Sequence, residues 1–420
     1  MITRLKKKFS LFEKITIYSC VALSLIVSLA PYQGDSTLGS DSFRSIVRII
    51  SYLLFVLLLL SLIFVRPNLN FGILVPIIFW AFTTFNVYSK GLIQLSLLNI
   101  LILMCIMIIP KRLCEPIVKS FRKCMIVICL LGIFFYLSYI FHIGIPYKVV
   151  NYYFELKDGQ RQYYISYGLS YIYLNSNEAR LCGLFNEPGY LGTICALLIC
   201  LDKIRLKNIG NWVLFVAGCL TFSLAFFIII GFYIILISIK KKSVLIIVLS
   251  LALFYLFVLP NIKFNSFELN NLVQRITISN GKLLGDDRSN PLFDSTFASF
   301  LKGPKVLFGY GGGYSSRIAP DVSTFKTFIL DYGIIAFILT YGSLLLFCVF
   351  TFGKNWLCLS YIIVFFLSIY QRPGIFIATY FVILICGGYH ISSENHKETR
   401  KKTTCGFLKD YKNESTALYS

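Results

Sequence analysis

Eleven long apolar runs, separated by short segments rich in lysine and arginine, leave this chain few folds to adopt. The runs lie at about 14–32, 45–65, 72–88, 93–109, 125–146, 182–201, 211–239, 243–260, 323–350, 357–370 and 375–389. A bilayer span needs about 20 mostly apolar residues, so most of these runs are read as single membrane helices. Composition agrees. Of 420 residues, 57% are hydrophobic and only 14% are charged, where soluble domains carry roughly a quarter charged residues. Mean hydropathy is +0.75. A soluble enzyme, a disordered chain and a disulfide scaffold are all excluded.

The net charge of +21 would suggest nucleic acid in a soluble protein. Here the basic residues sit beside apolar runs, which is the pattern of membrane topology rather than of DNA or RNA binding. The run 211–239 decides that topology. As one helix it would be about 43 Å long, against a hydrocarbon core of about 30 Å. If it breaks near Thr221–Ser223, the short inner segments collect 18 basic residues and the short outer ones four, Arg44, Arg48, Lys90 and Arg372. The unbroken alternative puts Lys240, Lys241, Lys242 and the basic tail outside. The positive-inside rule selects the break.

The expected fold is therefore an all-α polytopic membrane protein of about 12 transmembrane helices, with both termini cytoplasmic. Helices 1–5 occupy 1–146, with a first large outer loop at 147–180. Helices 6–9 occupy 181–260, with a second outer loop at 261–322. Helices 10–12 occupy 323–389, and 390–420 form a basic tail. The basic start leading into the first run reads as a first span rather than a cleaved signal. Neither large loop contains cysteine, which argues against a disulfide framework, and no His/Cys cluster reads as a metal site.

Four stretches carry candidate chemistry. In Arg180-Leu181-Cys182-Gly183-Leu184-Phe185-Asn186-Glu187-Pro188-Gly189, a helical reading puts Glu187 two turns below Arg180 on one face, about 10 Å deeper. That is either a desolvated carboxylate beneath an anion-binding arginine or a structural ion pair. In Lys302-Gly303-Pro304-Lys305-Val306-Leu307-Phe308-Gly309-Tyr310-Gly311-Gly312-Gly313-Tyr314, followed by Arg317 and Asp321, the glycines either offer backbone N–H groups to a phosphate or form a re-entering loop. The stretch 147–180 holds eight tyrosines, suited either to sugar rings or to an interfacial aromatic belt. Arg275, Lys282 and Arg288 surround Asp286 and Asp287, read as a solvated turn before a metal site. Arg372 lies in a tight outer turn, able to reach the same outer site or to anchor helix ends. Asp331 and Lys326 read as a local pair opening the tenth span.

The layout and the motifs together resemble bacterial O-antigen polymerases, which join oligosaccharide repeat units. The resemblance is carried by Arg180-x-x-Gly183-x-Phe185-x-Glu187-Pro188-Gly189, by the Thr221-Phe222-Ser223 break, by Leu307-Phe308-Gly309-x-Gly311, and by Ser323 through Asp331-Tyr332-Gly333-Ile334-Ile335. The related O-antigen ligases place a histidine in the late outer loop, and 261–322 contains none. An Arg-x10-Gly pattern of some polymerases is not matched from Arg161, Arg275 or Arg288.

The resemblance implies a glycosyltransferase of lipopolysaccharide biosynthesis in the bacterial inner membrane. Its substrates would be oligosaccharides on undecaprenyl pyrophosphate, handled at the outer leaflet without metal or cofactor, with a chain-length regulator protein as partner. The residues fit roles in that reaction: Glu187, and after it Asp321, as base; Arg180, Arg275, Arg317, Lys305 and Arg372, with Gly309 and Gly311, for the pyrophosphate substrate. A lipid-linked oligosaccharide flippase and an O-antigen ligase are the competing expectations.

Overall fold

In the computed structural model, the described residues are 9–29, 41–67, 71–85, 92–153, 160–175, 178–205, 207–239, 246, 250, 253, 278–279, 282–283, 289–319, 322, 324–353, 355–370, 372 and 374–394. The chain is mostly helical. The first five helices are α1 (Leu11–Ile26), α2 (Asp41–Val65), α3 (Phe71–Phe85), α4 (Leu92–Met107) and α5 (Lys111–Ile140). Then come α6 (Pro188–Leu201), α7 (Ile209–Leu220), α8 (Leu224–Ser238), α9 (Pro291–Leu301) and the short α10 (Tyr314–Ile318). The last part holds α11 (Phe325–Phe337), α12 (Ser343–Phe352), α13 (Trp356–Ser368) and α14 (Ala378–Phe381). A π-turn at Ile338–Gly342 joins α11 to α12, and a second at Val382–Cys386 continues α14.

Among the described residues, three helices are long and apolar enough to cross a membrane: Ser45–Val65, Lys111–Ile140 and Phe325–Phe352. Large apolar side chains stay exposed along them, for example Ile63, Phe64, Val127, Phe134, Ile338 and Leu346. A soluble helix would bury such a face; a bilayer solvates it.

Local sequence explains the ends. Ser10 and Glu13 form a reciprocal capping box that starts α1, satisfying N–H groups the first turn leaves open. The run 211–239 breaks where expected: α7 ends at Leu220, Phe222 takes φ 47°, and α8 begins at Leu224. The α6 helix is central, with every residue from Pro188 to Leu201 buried, packed on α7 and α8. At 14 residues it is about 21 Å long, short of a full span.

Three expectations need correction. The fold is mostly helical as expected, but the described residues of 147–180 are not a loop. Strands β1 (Lys148–Tyr153), β2 (Gln160–Ser166), β3 (Ser170–Asn175) and β4 (Glu178–Gly183) form an antiparallel meander in sequence order. The tyrosines are its reason: aromatic residues favour pleated, half-buried surface. One face, with Ile172 and Leu181, joins the main core against α5. The other buries Tyr163, Tyr171, Tyr173 and Cys182 in a separate cluster.

The gap 110–124 between the apolar runs 93–109 and 125–146 is not a loop either. Pro110 caps α5, and Lys111, Arg112, Lys119, Arg122 and Lys123 lie on the helix itself. Leu113, Cys114, Ile117, Val118 and Phe121 are buried between them, so this stretch is amphipathic and belongs to the same helix as the apolar run that follows. Finally, residues 182–187 are not helical: β4 ends at Gly183, and α6 starts only at Pro188. The run 243–260 lies almost wholly outside the described residues.

A carboxylate–guanidinium site at the start of the central helix

The two ends of the Arg180–Glu187 stretch sit on different elements, so the helical reading of it is corrected. Arg180 belongs to β4, opposite Tyr173 in the register. Gly183 then turns the chain with φ 61°, and Glu187 is the N-cap of α6 with Pro188 in the first helical position. Proline suits that place because its missing N–H would be unpaired there anyway. Phe185 between them is fully buried, and its ring meets that of Tyr190 at 5.3 Å.

Arg180 braces the bundle. Its Nε donates to the Thr221 carbonyl at 2.9 Å and its Nη2 to the Phe222 carbonyl at 3.2 Å. Those carbonyls come free because α7 ends there. One arginine therefore satisfies the break in 211–239 and ties it to the sheet. Gly192 completes the contact, since a Cβ there would meet the Thr221 Oγ1 at 2.7 Å.

Glu187 makes no side-chain cap bond to its own helix. It reaches instead to Arg372, whose Nη1 donates to Glu187 Oε2. The Arg372 backbone N–H is held by the Ser368 carbonyl at 2.8 Å. The guanidinium is 12% exposed and the Glu187 side chain 44%. Glu187 is thus half-open and paired with a cation; it is not the desolvated carboxylate expected. The Arg372 Nε is buried with no hydrogen-bond partner among the described residues, and such an orphan donor points to an absent acceptor. Beneath the pair, the Tyr190 hydroxyl bonds Ser28 Oγ at 3.0 Å, and Ser28 Oγ bonds Thr379 Oγ1. This hydroxyl chain fixes the base of α6 to α1 and α14. On the sheet side, the Tyr163 hydroxyl donates to the Asn186 carbonyl at 3.0 Å.

The glycine-rich turn holds an anion, but an internal one. The Ser315 N–H donates to Asp331 Oδ1 at 2.6 Å, and Ser315 Oγ and the Gly313 N–H bond Oδ2 at 2.9 and 3.3 Å. The Gly311 N–H takes the Asp331 carbonyl at 2.8 Å, and the Gly309 N–H takes that of Lys305 at 2.7 Å. The amides of Gly309 and Gly311 are therefore occupied, which corrects their assignment to a phosphate. Asp331 is committed here, and Lys326 pairs with Asp294 at 3.5 Å; the expected Asp331–Lys326 pair is corrected too. Lys305 Nζ lies 5.1 Å from the Tyr310 ring centre, Tyr310 stacks on Tyr314 at 4.4 Å, and Arg317 lies 6.0 Å from the Tyr314 ring centre. Lys305 and Arg317 are brought together as the ends of this aromatic stack.

Asp321, Arg275, Arg288, Asp286 and Asp287 lie outside the described residues. Of the remaining expected site residues, Glu187 and Arg372 are in direct contact, and Arg180 shares Glu187's stretch of chain through Gly183. The hydroxyls of Ser28, Tyr190 and Thr379 escaped sequence reasoning, because serines and threonines inside apolar runs carry no spacing signal. Comparison with protein-family models, with curated proteins and with solved structures gives no match to this chain.

Proposed function

We propose that the chain is a surface-polysaccharide polymerase of the O-antigen type. It would join undecaprenyl-pyrophosphate-linked repeat units at the outer face of the bacterial inner membrane, with about 12 spans and both termini cytoplasmic. The observation that carries this reading is the Glu187–Arg372 pair at the start of the buried helix α6, with the Arg372 Nε still seeking an acceptor. A lipid pyrophosphate is such an acceptor. Guanidinium groups bind phosphate oxygens in a fixed fork, and the N-terminal end of a helix favours negative charge.

The reaction needs little else from the protein. The acceptor sugar's hydroxyl oxygen attacks the anomeric carbon of the growing chain. The bond from that carbon to the pyrophosphate oxygen breaks, and the lipid pyrophosphate leaves with the electron pair. Arg372 stabilises the leaving charge where it develops. Pyrophosphate competes with Glu187 for the guanidinium, and the freed carboxylate takes the hydroxyl proton. Arg180 acts indirectly, by fixing the strand and the α7–α8 break around the site. Asp321 and Arg275 are further candidates for base and anion binding, and a chain-length regulator is a candidate partner.

The test uses the full chain reconstituted in liposomes with a single-unit undecaprenyl-pyrophosphate oligosaccharide. Lipid-linked products of two or more units are expected from wild type and are expected to fall at least 100-fold in Glu187→Gln, a loss in the range of general-base catalysis. Movement of the unit across the bilayer without elongation would assign a flippase. Transfer to a lipid A core acceptor alone would assign a ligase.

A further inference from the structure

The geometry points to a saccharide subsite in the cleft between the outer end of α5 and the sheet, separate from the Glu187–Arg372 pair. This deepens the polymerase reading and rests on it. The cleft encloses about 350 Å³, at the lower end of the range for small-ligand sites, about 300–1,000 Å³. Six of its eleven lining residues carry a hydroxyl or an imidazole. Three tyrosines dominate it: the Tyr147 and Tyr164 rings meet edge to face at 4.6 Å, and Tyr139 approaches Tyr164 at 4.8 Å. Tyr147 remains half-exposed.

Apolar ring faces bounded by hydroxyls complement one pyranose, which has C–H faces and a rim of O–H groups. An acyl or prenyl tail would leave those hydroxyls facing hydrocarbon, at a cost. The lip is built for the purpose. His142 takes φ 52° just past the end of α5, and the Ile143 N–H returns to the Ser138 carbonyl at 2.9 Å. This is the left-handed helix stop that glycine usually makes. With histidine there, an imidazole stands at the cleft mouth, and 143–147 fold over toward β1.

The cleft is also coupled to the site by alternation along one strand. Tyr164 of β2 faces the cleft, whereas its neighbour Tyr163 on the opposite face holds the Asn186 carbonyl, one residue before Glu187. A sugar bound at Tyr164 therefore sits on the strand that positions the carboxylate. The subsite would hold a unit of the glycan while its reducing end reacts.

Binding is read on the full chain in nanodiscs by saturation-transfer NMR and calorimetry. The probe is the oligosaccharide unit released by mild acid from the host's own surface polysaccharide. Wild type and Glu187→Gln should bind it alike. Tyr147→Ala should weaken it about tenfold, and Tyr147→Phe, which keeps the ring, should stay within about threefold. Gly144→Trp is a second variant: a Cβ at Gly144 meets nothing within 4 Å, so it obstructs the cleft wall without a clash at the backbone. It should abolish the transfer signal. No binding by wild type, unchanged binding in both cleft variants, or displacement by undecaprenyl phosphate would each overturn the subsite. Absence of any elongation by wild type alongside Tyr147-dependent binding would instead sink the polymerase reading and leave the subsite standing.

Discussion

Arg180 and Arg372 show how two arginines near one site do different work. Arg180 gives its hydrogen bonds to the Thr221 and Phe222 carbonyls, and a charge-assisted bond of this kind contributes roughly 1.5–3 kcal/mol. Arg180→Ala should therefore lower the melting temperature in detergent, by about 2 kcal/mol of stability, and activity should fall with it. Arg372 is itself largely buried, but its partner carboxylate is half-open, so water can take over Glu187 once the guanidinium is gone. Arg372→Ala should cost about 1 kcal/mol of stability, while elongation falls about 100-fold. Arg372→Lys keeps the charge but loses the fork, so it should restore only part of the rate. Equal losses of stability and activity in the two variants would contradict this division of roles.

At the scale of elements, the glycine-rich turn and the start of α11 form one unit. Gly309 takes φ 77°, and a Cβ on it would lie 2.3 Å from the Asp331 carbonyl oxygen. Gly333 takes φ 85°, and its Cβ would lie 2.1 Å from the Leu307 carbonyl oxygen. Two backbones cross where only glycine fits. Gly311 also has positive φ, but its Cβ would meet nothing. Thermal unfolding should rank them accordingly: Gly309→Ala and Gly333→Ala should each cost upward of 3 kcal/mol, and Gly311→Ala about 1–2 kcal/mol. Asp331→Ala should cost about 3 kcal/mol, because it leaves the buried Ser315 donors unpaired. A larger effect at Gly311 than at Gly333 would contradict the packing.

This unit also marks the limit of sequence reading. The two patches 307–311 and 331–335 were visible as motifs, but not that one closes on the other, since periodicity reports a local face and not a distant partner. The 221–223 break was legible because its alternative violates both span length and charge asymmetry. The sheet was misread because alternating tyrosines also fit an aromatic belt. Glu187 and Arg372 were both singled out, yet their pairing across 185 residues depends on how α6 and α13 pack.

For the whole molecule, the proposed topology predicts one side for every basic inner segment. A single cysteine introduced as Lys241→Cys in a cysteine-free chain should react with an impermeant maleimide only after the cells are opened. Labelling in intact spheroplasts would show that α7 and α8 make a single crossing. Two ion pairs tie helices together: Arg112 meets Glu13 at 3.1 Å, and Arg122 meets Asp202 at 3.1 Å. Under the proposed topology the site and the sheet share the outer side, where the proposed lipid-linked substrate would be displayed. The most direct test of that account is the surface-polysaccharide ladder of a deletion strain restored with wild type, Glu187→Gln or Arg372→Ala and run on a gel. The account predicts core plus one repeat unit in the deletion strain and in both variants, with a full ladder returned only by wild type; a full ladder in the deletion strain would contradict it.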